Sequence, residues 1–252
     1  MQRKSGKVNV NKCDNKSKFI NTRSLLSIFL YLICMPATIL LGIYLLDDRK
    51  YYIVSMLIIC YAMIPFYVLF EKRKPKTREI IVISVLIVIG VCGRAVFFMT
   101  PQFKPVIAIV IISGACLGGH VGFLVGSMTG FISNFLFGQG PWTPWQMFAF
   151  GIVGLFAGLI FHKGFLTPNK IFLCIYGAFA TFFIFGGIVD IWTILMFTPS
   201  PNVETAILVY SAALVFNLIH TVSTVFFLFI FAKPMIEKIE RVKLKYGLID
   251  TI

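Results

Sequence analysis

Glu79–Met99 reads EIIVISVLIVIGVCGRAVFFM, with Glu79 at its start and Arg94 near its end as its two charged side chains. About 20 helical residues rising ~1.5 Å each reach across the ~30 Å hydrocarbon layer of a bilayer, so this run predicts a membrane-crossing helix. Comparable runs lie at 24 to 46, 51 to 70, 104 to 118, 120 to 137, 145 to 162, 170 to 197 and 205 to 232, making eight spans with 79 to 99. All are expected to be helices. In hydrocarbon each backbone N–H must be satisfied within its own segment, and the alternating strands of a barrel are absent. Of the 252 residues 58% are hydrophobic and 13% charged, with a mean hydropathy of +0.90. A soluble domain carries about 45–50% apolar and about 25% charged residues, so the composition excludes a soluble enzyme and predicts an all-α integral membrane protein.

The 23 Lys and Arg outnumber the 10 Asp and Glu, giving a formal net charge of +13. In a soluble chain that excess would suggest nucleic acid; here the basic residues sit mainly between and beside the apolar runs, and no nucleic-acid partner is expected. With the N-terminus in the cytoplasm, 19 of them fall on that side: seven in 1 to 23, five in 72 to 78, Lys163 and Lys170, and five from Lys233 onward. Only Arg49, Lys50, Arg94 and Lys104 fall outside. The positive-inside rule therefore predicts a multi-pass membrane protein with both termini cytoplasmic. The run after the basic tail is too long for a signal peptide and lacks a small-x-small cleavage site, so it reads as an uncleaved helix. The block Glu71–Arg78 (EKRKPKTR) divides the chain. The expected parts are a tail at 1–23, a two-helix extension at 24–78, a six-helix membrane domain at 79–245 and a tail at 246–252. Five of the six cysteines lie inside apolar runs and no C-x-x-C or Cys/His spacing occurs, so neither a disulfide framework nor a metal site is expected.

Gly114, Gly118, Gly122, Gly126 and Gly130 recur every four residues, and Gly151, Gly154, Ala157 and Gly158 make a second small-residue face. Such faces let backbones pack closely inside a bundle, or slide against a partner. The short run at 104 to 118, with its Gly118-Gly119 exit, suggests a brief or tilted crossing. Gly138–Gln146 (GQGPWTPWQ) combines turn glycines, two prolines that stop a helix and two indoles, with Thr143 placed to cap the next helix. Trp142 and Trp145 can be interfacial anchors; beside Asn134, Gln139 and Gln146 they can also line a ligand pocket. A second external cluster, Arg94–Pro105 (RAVFFMTPQFKP), offers Arg94, Phe98, Gln102 and Lys104. A third holds Asp190, Trp192 and the loop Thr198–Glu204, and Asn217 lies one turn from His220 in the last span. Apart from Glu79 at the edge of its run, Asp190 is the only carboxylate inside a span and Arg94 lies at similar depth, so the two are expected either to pair or to contact a ligand. His220 reads as a structural, hydrogen-bonded histidine.

No paired carboxylates, H-E-x-x-H set or activated nucleophile appears, so no enzyme is expected and no cofactor is called for. The chain also lacks a G-x-x-x-x-G-K-[ST] loop, and its intramembrane ionisable residues are too few for an ion pathway.

The run GRAVFFMTPQFKP at 93 to 105, with SNFLFGQGPWTPWQMFAFGIVGLFAG at 133 to 158, resembles the membrane-embedded S components of energy-coupling factor (ECF) vitamin transporters. The similarity covers about 79 to 245, and within the family the segment looks most like the group associated with cobalamin uptake. The resemblance implies a six-helix substrate-capture bundle, here preceded by two extra helices, whose pocket opens outward beneath the three loop clusters. It also implies partners: a vitamin-like small molecule, a transmembrane coupling protein and two cytoplasmic ATPases, with toppling in the bilayer to release the vitamin. The family's first core helix carries an Ala-x-x-x-Ala docking face; Ser84, Gly90 and Gly93 supply small side chains here at other spacings.

Three classes of function therefore stand: a capture subunit for a large polar micronutrient such as a corrinoid or another vitamin or nucleobase precursor, a non-catalytic scaffold, and a membrane-embedded enzyme. Asp190 and His220 would have to serve the last, yet they lie about 15 Å apart in depth. The charge distribution makes one outcome testable at once. An impermeant thiol reagent should label a cysteine introduced at Gln139 in intact cells; labelling confined to inverted vesicles would reverse the topology.

Overall fold

The computed structural model describes residues 51–72, 75–197 and 202–246. The basic tail, the span expected at 24 to 46, most of the Thr198–Glu204 loop and residues 247–252 lie outside the described residues. The helices are α1 (Tyr51–Lys72), α2 (Thr77–Val96), α3 (Val106–Leu117), α4 (Gly119–Phe137), α5 (Thr143–Ala157), α6 (Lys170–Phe179), α7 (Gly187–Phe197) and α8 (Val203–Tyr246). A π-helical turn, Gly158–His162, prolongs α5, and a π segment, Ala180–Gly186, joins α6 to α7 without a loop. Five of these rods are long and apolar enough to cross a membrane: α2, α4, Thr143–His162, Lys170–Met196 and α8. The protein is an all-α membrane bundle, as its sequence predicts.

Its centre is α3, all 12 of whose residues are buried. At ~1.5 Å per residue it is about 18 Å long, well short of the hydrocarbon thickness. It need not meet lipid, because α2, α4, α5 and α8 surround it. Ile107, Val110, Ile111 and Ile112 have no exposed surface. Gly118, at φ 95°, turns the chain directly from α3 into α4, a left-handed conformation that a side chain would strain.

The two small-residue faces pack on each other. A Cβ on Gly122 would meet the Gly154 carbonyl and lie 2.7 Å from the Gly114 Cα, and one on Gly126 would meet the Phe150 carbonyl. Gly119 and Gly158 close the same seam at its other end. With no hydrophobic drive between helices in lipid, backbone proximity of this kind supplies the dispersion contacts that hold α4 against α5. The stripe is therefore internal packing, and no part of it is left for a sliding partner.

α1 forms a second apolar core with α4, α5 and α7. Ile59, Met63, Phe123 and Trp145 are its buried members. Phe66 stacks on Phe123 at 4.1 Å, and Gly151 leaves room for that ring.

Two features depart from the sequence expectation. The last helix continues past residue 232, through Pro234, to Tyr246, so its 44 residues extend about 66 Å. Hydropathy stops at the membrane boundary, but the polar continuation has partners of its own. Lys243 Nζ donates to the Cys116 carbonyl at 2.9 Å and to Glu240 at 2.8 Å, and the Arg78 guanidinium stands 5.6 Å over the Tyr246 ring. A cation at the C-terminal end of α3 meets the negative pole of that helix. The second departure is the helix start after the 138–142 loop. Thr143 is the first residue of α5 rather than its cap, because its hydroxyl is engaged elsewhere.

The glycine seam sets an expected outcome. Gly154→Val should destabilise the bundle by about 3 kcal/mol through overpacking of backbone on backbone. Gly187→Ala, where a Cβ meets nothing within 4 Å, should be neutral or mildly stabilising. Unfolding midpoints of the detergent-purified variants check the contrast.

Candidate functional site

The connections 97–105 and 138–142 lie at one end of the bundle, called here the loop end. Arg94, in the last turn of α2, donates from Nη1 to Ser133 Oγ at 2.6 Å and to Asn134 Oδ1 at 2.7 Å on α4. Asn134 has no exposed surface. Its Nδ2 donates to Thr143 Oγ1 and to Gln146 Oε1, each at 3.1 Å, and Thr143 Oγ1 accepts the Gly140 N–H at 3.2 Å. This relay has one direction. Arg94 can only donate, so the Asn134 oxygen must face it and the Asn134 amide nitrogen must face α5. Gln146 accepts in turn, and its own NH2 is left pointing away from Asn134 as a donor.

Phe137 sits beside the relay. The Arg94 guanidinium stands 5.0 Å and the Lys104 ammonium 6.0 Å from its ring centroid, and Phe98 stacks on it at 5.1 Å. Burial and then the charge of Arg94 hold the Lys104 ammonium, in the 97–105 connection, below its ordinary pKa. That connection is itself anchored: Phe97 and Phe103 pack on Phe227, and Ser223 donates to the Lys104 carbonyl at 3.1 Å. Gln102 adopts φ 57°, an uncommon conformation for a residue other than glycine.

Asp190 is buried on α7, where its Oδ2 accepts from Asn217 Nδ2 at 2.8 Å. The bond is possible because Gly186, in the π segment, has no side chain; a Cβ there would lie 2.9 Å from the Asn217 amide. Local π geometry of this kind often accompanies functional sites. The ion pair between Arg94 and Asp190 that the sequence allows is not formed. Each ion takes a neutral amide instead, because α4 stands next to α2 and α8 next to α7. Along α8, Asn217, His220 and Ser223 occupy successive turns and join this pair to the Lys104 connection; the His220 ring packs edge-on against Phe185 at 5.0 Å.

The tryptophans face elsewhere. Trp145 is 7% exposed and packs in the α1 core, its Nε1 without a hydrogen-bond partner among the described residues. Trp192 belongs to the same core, and Trp142 meets it edge-on at 6.0 Å. Gln139 donates to the Phe131 carbonyl at 3.2 Å and lines an open, mostly apolar groove between α1 and the loop, with Met56, Cys60, Met63 and Met147. Thus Arg94, Phe98, Lys104, Asn134 and Gln146 converge, Asp190 and Asn217 form an adjoining pair, and Gln139, Trp142, Trp145 and Trp192 turn toward α1. Gln102 makes no side-chain hydrogen bond among the described residues. Sequence reasoning passed over Ser133 and Phe137. A serine inside a helix and an aromatic at its end carry no signal until Arg94 is placed beside them.

Of the small residues expected to serve docking, Gly90 packs against Thr129 and Gly93 against Pro105, where a Cβ would come within 2.7 and 2.6 Å of their side chains. Ser84 lies on the exposed face of α2, with Ile81, Val85 and Val88.

Separate partners for Arg94 and Asp190 have an energetic signature. Arg94→Ala and Asp190→Ala should each destabilise the protein, and the double variant should equal their sum within about 0.5 kcal/mol. A direct ion pair would instead give a coupling above about 1 kcal/mol in the same denaturation cycle.

Residues 74–237 match the family model described as ECF-type riboflavin transporter, S component. The match runs from the start of α2 into the polar part of α8 and contains the whole Arg94–Asn134–Gln146 relay, while α1 lies outside it. No solved structure matches the chain. Spanning 164 of 252 residues, the match shows that this multi-pass membrane protein belongs to the family of ECF-type transporter S components, as a transporter subunit and not an enzyme.

Proposed function

We propose that this chain captures a riboflavin-like vitamin at its loop end, facing the outside, and passes it inward together with a coupling protein and two ATPases. The observation that carries the reading is the coincidence of the family match with a half-buried polar relay at one end of the bundle. A flat heteroaromatic with amide and hydroxyl groups suits the donors of Arg94 and Gln146 beside the Phe98–Phe137 stack. The cobalamin assignment drawn from the resemblance gains no support from the matched family, whose description names riboflavin. The positive-inside count supports cytoplasmic termini and an external loop end.

Docking on the coupling protein is assigned to the exposed α2 face around Ser84. Gly90 is buried and Gly93 half-buried, and the missing Cβ of each would point at Thr129 or Pro105 inside the bundle, so Ser84 is the most open of the three. A small hydroxyl among branched aliphatics permits another helix to approach closely at that point.

Flavin fluorescence quenching by the purified chain, followed by uptake into vesicles holding the full transporter, tests both parts. Ser84→Trp should keep flavin binding while ATP-driven uptake falls about tenfold or more, the effect of a docking loss of about 1.4 kcal/mol. Failure to quench flavin, with a corrin spectrum in the purified protein, would replace riboflavin by cobalamin; uptake by this chain alone would remove the coupling model.

A further inference from the structure

We infer that the ligand held at the loop end carries an anionic oxygen group, a carboxylate or a phosphate, which seats on the donors of Arg94 and Lys104. The inference rests on the proposal that this end binds substrate, and it narrows that substrate to a vitamin form bearing an acid group, which a flavin phosphate has and neutral riboflavin lacks.

Three observations converge. Arg94 makes its two hydrogen bonds through Nη1 alone, both to neutral oxygens, which leaves the other guanidinium N–H groups without an acceptor among the described residues. Lys104 stands beside it, over the same Phe137 ring, with no carboxylate within ion-pair distance among the described residues. The relay through Asn134 also ends on a donor, the Gln146 NH2, because each amide in it accepts from the α2 side and donates onward. Among the described residues the cluster is thus rich in donors, doubly positive and poor in free acceptors. Two like charges held together and partly desolvated repel, and an entering anion relieves that repulsion while accepting hydrogen bonds. Asp190 does not fill the role, since its carboxylate is turned to Asn217. A neutral ligand would bring no counter-charge to the two cations, which have none among the described residues.

The experiment uses the detergent-purified full chain with three probes at matched ionic strength: sodium phosphate, sodium acetate and sodium chloride. Phosphate or acetate should raise the unfolding midpoint saturably, by about 3 °C over chloride. The stronger of the two identifies the group. The gain should fall by at least about threefold in Arg94→Gln, which keeps a donor for Ser133 and Asn134, and likewise in Lys104→Met, which tests the inference should the first variant fail to fold. Equal midpoints in all three salts, or a gain that survives in both variants, would overturn it. Flavin quenching on the same samples reports separately on the vitamin: stabilisation by anions without quenching removes riboflavin and keeps the anion site, and quenching with equal salt midpoints does the reverse.

Discussion

The bundle depends on α4 and α5 meeting with no side chains between them. Gly122 and Gly154 bring the two backbones so close that the carbonyl of each occupies the space where the other's Cβ would stand. In lipid, where burial of apolar surface gives no net advantage over exposure to acyl chains, such proximity is a main source of helix association. It also fixes relative height. Because the seam runs from Gly119 against Gly158 to Gly126 against Phe150, Asn134 is delivered to the level of Thr143 and Gln146, and the polar relay follows from that register.

Polar groups within such a bundle destabilise it unless they are satisfied, and Arg94, Asn134 and Asp190 each find a neighbour of matched polarity. Arg94 can only donate, and that single fact orients Asn134, then Gln146, and leaves donors presented at the loop end. Asp190 is satisfied separately by Asn217, across a gap that Gly186 provides. The cation and the anion thus serve two different helix pairs, and the positive cluster is left without a counter-ion among the described residues.

The helix that precedes the matched region is built into the same body. α1 contributes Ile59, Met63, Phe66 and Tyr67 to a core shared with Phe123, Trp145 and Trp192. This gives the tryptophans of the 138–147 region packing partners inside the protein. Their indoles read equally well as interfacial anchors or pocket walls in the sequence, and the presence of α1 is what draws Trp145 inward.

Local composition was enough for what depends on local chemistry. Apolar runs disclosed the helical character of the described segments, because the hydrocarbon permits no other hydrogen-bonding solution; five of them are long enough to cross, while the run at 104 to 118 folds as the short buried α3. The period of four in Gly114–Gly130 disclosed a close-packed face, and the loop residues Gly138–Thr143 disclosed a break between helices. Residues gathered at the loop end were legible as a polar set, though not as three groups. Which of them touch was decided only by the tertiary structure, since a side chain's partner across a bundle depends on helix register and rotation, and hydropathy is blind to both. Arg94 faces Asn134 and not Asp190, and Gly90 packs against Thr129, because α2 sits against α4 in one rotational setting; Trp145 is turned to α1 by the setting of α5. The extension of α8 to Tyr246 was hidden for a related reason: beyond the bilayer a helix is held by tertiary partners such as the Cys116 carbonyl, and not by apolarity along its own sequence.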